Sequence, residues 1–217
     1  MVETLSLLPR VFLAFAIFCM LASAIYLIND VFDIKRDKLH PRKRLRPIAS
    51  GRLPIWVALT GSGTFIILGL STAFLIGPLF AGISSAYVVL MIIYTVAIKR
   101  VILLDVFAIS AGFVLRAVAG AVVLSVPISP WLYICTGLGS LFLSLSKRRS
   151  ELSNAGENAE ALRNTLEYYS LPLLDQLISV MATSTMLAYA LYTFTAANLP
   201  QNHTMMLTIP FVIYGLF

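Results

Sequence analysis

Acid is scarce in this chain. Only ten of 217 residues are Asp or Glu, charged residues of all kinds make up 12%, and there are two His and two Cys. A soluble domain carries about twice that share of charge (~25%). With 59% hydrophobic residues and a mean hydropathy of +0.89, the chain has far more apolar surface than a soluble core of this length could hide. The two cysteines, Cys19 and Cys135, both lie inside apolar runs. They read as small buried residues, which excludes a disulfide scaffold and a thiolate metal site. No basic n-region precedes the first apolar run, which holds only Glu3 and Arg10 near its start. The Ala22-Ser23-Ala24 triplet is therefore not read as a signal-cleavage site.

Long apolar runs are what the chain has instead. They fall at about 5–28, 55–75, 79–98, 103–124, 131–146 and 171–195, with a further one from about 204. Most approach the ~20 residues that cross a bilayer as helix. The expectation is an all-α, polytopic transmembrane bundle of six to seven spans, a single domain over 1–217. The 131–146 run is short and is expected to borrow residues from the loop after it. Segment 150–168, with Glu151, Glu157, Glu160, Arg163 and Glu167, is polar enough for an interfacial helix. The last run is too short to span, and the first helix would begin on the outer side. Both features suggest a piece of a longer protein.

The connections alternate in charge. Loop 29–54 carries eight cations, loop 99–102 carries Lys99 and Arg100, and loop 147–170 carries Lys147, Arg148, Arg149 and Arg163. The connections near 76–78, 125–130 and 196–203 carry none. By the positive-inside rule the charged loops face the cytoplasm. The net charge of +6 is thus a topology signal, and nucleic acid is not an expected partner.

The most informative stretch is NDVFDIKRDKLHPRKRLRPIASGRLP, residues 29–54, which holds three of the ten acids and eight of the sixteen Lys and Arg residues. Asp30, Asp33 and Asp37 recur at i, i+3 and i+7, so they share a helical face that Asn29 joins. Clustered carboxylates repel unless a cation sits among them, and oxygen ligands of this kind suit Mg²⁺ shared with substrate phosphates. The cations that follow, with Lys43, Arg44 and Arg46 foremost, offer forks and point charges for phosphate oxygens. The plain alternatives are an acidic helix end and a topology-setting basic loop that touches lipid headgroups. Pro47 and Gly51 favour an ordered loop.

A second group lies deeper. Arg116 falls near the middle of the 103–124 run, where a cation costs ~2.5–3.5 kcal/mol to insert. It shares a stripe with Asp105, Ala108, Gly112 and Gly120. Asp105 would sit about 16 Å from it along the helix, at the charged end. The functional reading has Arg116 facing a polar cavity; the structural one is an interhelical ion pair. Tyr94 and Lys99, which close the preceding run, could add a hydroxyl and a cation. Lys147, Arg148 and Glu151 read either as phosphate and ribose contacts or as stop-transfer charge.

The Asn-Asp-x-x-Asp-x-x-x-Asp element followed by Arg-Pro-Ile and Gly51 resembles the first signature of the UbiA superfamily of intramembrane prenyltransferases. The resemblance implies Mg²⁺ held by Asp30, Asp33 and Asp37, a bound diphosphate, and a lipid substrate. A second Asp-x-x-x-Asp motif is usual in that superfamily, and only Asp105 is offered in its place. With GFVLRAVAG, SKRRSEL and LEYY, the chain is more similar to the branch that moves phosphoribose from phosphoribosyl pyrophosphate to a polyprenyl phosphate such as decaprenyl phosphate. That similarity implies a role in cell wall biosynthesis, a bacterial-type inner membrane and a site open to the cytoplasm. It also implies catalytic roles for the four aspartates. Asn29, Lys43, Arg44, Arg46, Tyr94, Lys99, Arg116, Lys147, Arg148 and Glu151 would bind substrate. Further helices would precede residue 1 and follow residue 217, and a homo-oligomer is compatible with this reading. The rivals are an aromatic or quinone-type prenyltransferase that uses a prenyl diphosphate, and a non-catalytic membrane protein or transporter.

Overall fold

The computed structural model describes residues 2–155, 168–196, 199, 202 and 204–216. The elements in order are α1 (Val2–Phe32), α2 (Ile34–Leu39), a 3₁₀ turn (Lys43–Leu45), α3 (Ile55–Ile76), α4 (Pro78–Val96) and a 3₁₀ turn (Ile98–Arg100). There follow α5 (Leu104–Val123), α6 (Pro130–Ala155), α7 (Leu171–Thr195), a 3₁₀ turn (Thr204–Thr208) and α8 (Ile209–Leu216). Five helices among the described residues are long and apolar enough to cross a membrane: Leu7–Phe32, Ile55–Ile76, Pro78–Arg100, Leu104–Val123 and Leu171–Thr195.

The expected 131–146 span is corrected in extent. α6 runs 26 residues and carries Lys147 to Glu151 inside the helix, where a loop from 147 was expected. Nothing in Ser-Lys-Arg-Arg-Ser-Glu breaks a helix, so the backbone continues until Ala155. Of the expected interfacial helix, Glu157, Glu160, Arg163 and Glu167 lie outside the described residues.

Proline and glycine set the turns. α3 and α4 are joined by Gly77 alone, at φ 156°, and Pro78 opens α4 with the fixed φ suited to a first helical position. Gly51, at φ 80°, lets the chain turn between Pro47 and α3.

Two buried clusters hold the bundle. The larger joins α1, α3, α4 and α5 around Ile17, Leu21, Phe80 and Tyr87, with Phe18 edge-on to both aromatic rings at 5.8 and 5.5 Å. The smaller joins Val106 on α5, Leu145 on α6, Leu174 on α7 and Tyr169, which precedes α7. Hydroxyls stitch helix pairs where water is absent. Ser62 Oγ donates to the Ala24 carbonyl at 3.0 Å, and Ser110 Oγ donates to the Gly137 carbonyl at 2.9 Å.

Small residues set the closest approaches. A Cβ added at Gly69 would lie 2.7 Å from Leu21 Cδ2 and 3.1 Å from Leu21 Cγ, and Leu21 is fully buried. One added at Gly112 would lie 2.7 Å from Met91 Cε, the free end of a flexible thioether. Gly69→Ala is therefore expected to cost ~1–3 kcal/mol by overpacking, and Gly112→Ala distinctly less. Thermal unfolding of both variants in one detergent checks this; an equal loss at the two positions would contradict the packing.

Candidate active site

Among the described residues, the strongly charged segments gather at one end of the bundle, where α1 ends and α5 begins. The three aspartates there divide into two and one. Asp30 Oδ1 and Asp37 Oδ2 both accept from the same Arg46 nitrogen, Nη1, at 2.8 and 2.9 Å. Asp33 Oδ1 instead accepts from Lys99 Nζ at 2.7 Å, and Lys99 also donates to Asn29 Oδ1 at 3.2 Å. The helical phase explains the split. At 100° per residue, Asp37 lies only about 20° around the helix from Asp30, whereas Asp33 lies about 60° away. Asp33 stands at the junction of α1 and α2 with φ −98° and ψ 5°, while Asp33 N–H to Asn29 and Asp37 N–H to Asp33 carry the helical ladder through it.

The three carboxylates thus share a helical face but meet two different cations, and among the described residues no three acidic, His or Cys side chains gather closely enough to cage a metal ion. The donor set still suits Mg²⁺. That ion takes one or two carboxylates plus phosphate oxygens, and Asp30 and Asp37 already face one cationic nitrogen.

The loop that delivers Arg46 is ordered, as its composition predicted. His40 Nδ1 accepts from the backbone N–H groups of Arg42 and Lys43 at 3.2 and 3.3 Å. Arg52 Nη2 donates to the Leu45 carbonyl at 2.6 Å, and Ser50 N–H donates to the Arg46 carbonyl at 2.9 Å. Arg46 caps the 3₁₀ turn with an extended backbone, φ −58° and ψ 145°. Lys43 is half-buried, and Arg44 is exposed. Arg44 lines an open groove of about 570 Å³ with Lys38, Ser50 and Gly51. Tyr94 is half-buried in the last turns of α4.

Asp105, the acid offered in place of a second aspartate motif, is held by partners from outside α5. Asp105 is fully buried, and its Oδ2 lies 3.0 Å from Arg148 Nε, an ion pair without the alignment of a hydrogen bond. Arg148, 1% exposed, also pairs with Glu151 one turn on. The Tyr169 hydroxyl donates to Asp105 Oδ1 at 3.3 Å and accepts the Leu103 N–H at 2.9 Å. Burial pushes the Tyr169 phenol above its usual range, and neighbouring Asp105 acts in the same direction. The hydroxyl therefore keeps its proton and remains a donor. Arg148 was expected to meet a phosphate, but it is enclosed because a buried carboxylate on α5 needs a cation and α6 supplies it. Lys147, one residue earlier, is exposed.

Arg116 does not form the interhelical ion pair that was the structural alternative. It makes no ion pair among the described residues. Its guanidinium sits 5.3 Å from the Tyr87 ring centroid and 4.6 Å from that of Phe113, held by the negative faces of the rings. Nε contacts the Gly112 carbonyl at 3.4 Å.

Sequence reasoning missed Tyr169 and the network around it. The available signal was Asp105 itself, an acid in the first turn of an apolar helix, which requires a partner.

The sequence signature of the UbiA prenyltransferase family matches residues 3–217, and the chain belongs to that family. It is 35% identical over 186 residues to a decaprenyl-phosphate phosphoribosyltransferase of Mycolicibacterium smegmatis, a match covering 86% of this chain and 58% of that one. It is 33% identical to the protein of that name from Mycobacterium tuberculosis, over 97% of this chain and 70% of the relative. The chain thus spans rather more than half the length of these relatives. Among solved structures, it superimposes on a UbiA homologue from Archaeoglobus fulgidus, bound to GPP and Mg²⁺, with a TM-score of 0.82. That match covers 95% of this chain and 72% of the other at 16% identity, a likeness of fold.

Proposed function

We propose that this chain carries the site for transferring 5-phosphoribose from phosphoribosyl pyrophosphate to a polyprenyl phosphate, with release of pyrophosphate. The observation that carries the reading is the layer of carboxylates and cations at one end of the bundle. It joins Asp30, Asp37 and Arg46 on one side and Asp33, Lys99 and Asn29 on the other. The similarity to two proteins named decaprenyl-phosphate phosphoribosyltransferase supports the choice of sugar and lipid.

Asp30 and Asp37 would hold Mg²⁺, with Asp33 beside them; when bound, the ion neutralises charge on the leaving pyrophosphate. Arg46, released from the two carboxylates, then has a phosphate to pair with, and Lys43 and Arg44 add charge from the same loop. Fixed cations aimed at a departing anion stabilise it where the charge develops. Lys99 belongs to the same layer, and we assign Tyr94 and Lys147 to substrate with it. One oxygen of the lipid phosphate attacks the anomeric carbon. The bond from that carbon to pyrophosphate breaks, and its electron pair leaves with pyrophosphate. A phosphate monoester is already ionised, so no strong general base is needed. Arg116, seated deeper and with no carboxylate partner among the described residues, is the group we assign to the lipid phosphate. Asp105, Arg148 and Glu151 support the site from behind. By the positive-inside rule the layer faces the cytoplasm.

The test uses membranes that contain the full-length protein, Mg²⁺, phosphoribosyl pyrophosphate labelled in the ribose, and polyprenyl phosphate. Label is expected in the lipid fraction. Its absence there, with transfer from a prenyl diphosphate to an aromatic acceptor, would overturn the reading in favour of prenyl transfer.

A further inference from the structure

The connection between α4 and α5 contains the one residue at this end of the bundle, among those described, that is forced into a rare backbone conformation without being glycine. Leu103 has φ 64° and ψ −44°. The Leu104 N–H donates to the Ile102 carbonyl at 2.8 Å. Together these define a γ-turn of the positive-φ type, rare and strained for a residue with a Cβ. Such strain, of order 1–3 kcal/mol, persists only where the surroundings over-determine it. Here the surroundings are specific. The turn's central N–H, on Leu103, is held by the Tyr169 hydroxyl at 2.9 Å. That hydroxyl is fixed in turn by Asp105, and Asp105 by Arg148. Leu103 is 40% exposed, so its side chain does not hold the turn in place.

The strained turn has a direct output. It follows the 3₁₀ turn Ile98–Arg100, and Asp105 N–H to the Val101 carbonyl at 3.2 Å ties the two together. Lys99, in that 3₁₀ turn, places its Nζ on Asp33 and Asn29. The segment that carries Lys99 is therefore anchored at one end by α4 and at the other by a backbone that Tyr169 clamps.

We propose that Tyr169 is a positioning residue: its hydroxyl locks the strained Leu103 turn and so holds Lys99 against Asp33 in the carboxylate layer. This rests on the transfer reaction proposed above for its kinetic readout, and not for its structural one. Nothing in the assigned chemistry uses Tyr169 directly, since it lies behind Asp105.

The experiment compares Tyr169→Phe, Lys99→Gln and the double variant of the full-length protein, with Tyr168→Phe, an exposed neighbour, as control. Removal of an outer partner that orients a site group lowers activity by roughly 10- to 100-fold, and a loss of that order is expected for Tyr169→Phe. The double variant is expected to be no worse than Lys99→Gln alone, because residues that act through one another are not additive. Hydrogen exchange supplies the second readout. Amides of 98–105 should exchange faster in Tyr169→Phe and remain as in wild type in Tyr168→Phe. Additive losses, or unchanged exchange across 98–105, would overturn the clamp. If wild type transfers no phosphoribose, the reaction assignment fails, and the exchange result alone decides the clamp.

Discussion

Asp30→Asn is expected to lower phosphoribosyl transfer by about 10²-fold or more while leaving the protein folded. The two effects separate because of how Arg46 is shared. Its Nη1 lies 2.8 Å from Asp30 and 2.9 Å from Asp37, so an amide at position 30 leaves the guanidinium paired with Asp37. Folding loses one half-exposed contact, which is worth little. Chemistry loses a formal charge where a leaving group must be neutralised, and single groups of this kind are commonly worth 10²–10³ in rate. Turnover in the labelled transfer assay, beside a melting curve in detergent, checks both parts. Unchanged transfer would remove Asp30 from the proposed machinery. A collapse of the melting temperature would instead recast the cluster as structural.

The largest effect on stability is expected at Asp105. Asp105→Ala leaves Arg148, 1% exposed, without its α5 partner, and breaking a buried pair from one side typically costs ~3–5 kcal/mol. Glu151 still faces the guanidinium, which places the loss toward the lower end of that range. Tyr169 loses its acceptor at the same time. If the loss comes from the stranded charge, replacing both partners by apolar residues of similar volume, Asp105→Leu with Arg148→Met, recovers most of it. Chemical denaturation of the single and double variants measures this. A double variant no more stable than Asp105→Ala would show that the pair contributes more than mutual neutralisation.

The helices were readable because each is a local matter: an apolar run of about 20 residues, bounded by Gly77 and Pro78 or by charge. The loop 29–54 was readable for the same reason, since Pro47 and Gly51 impose backbone geometry wherever they fall. Pairing across the fold was not readable. That Arg46, rather than Lys43 or Arg44, reaches back to the carboxylates depends on the capping of one short 3₁₀ turn. That Asp33 turns to Lys99, 66 residues away, depends on helix packing. The end of α6 was misplaced because charge was taken to mark a loop, whereas Arg148 enters the interior to meet Asp105. Arg116 was found by its depth, but its contact with Tyr87 on α4 comes about only in three dimensions.

Arg46 between its two aspartates means that the resting site carries its own counterion. Any cation that takes that place must first evict a guanidinium, which then has no anion beside it. Under the proposed reaction a bare divalent ion would strand that arginine, while one that arrives with phosphate oxygens would supply it with a new partner. With the ion and its diphosphate together, both carboxylates and Arg46 would all be paired, so the proposed site would favour the two as one visitor over either alone.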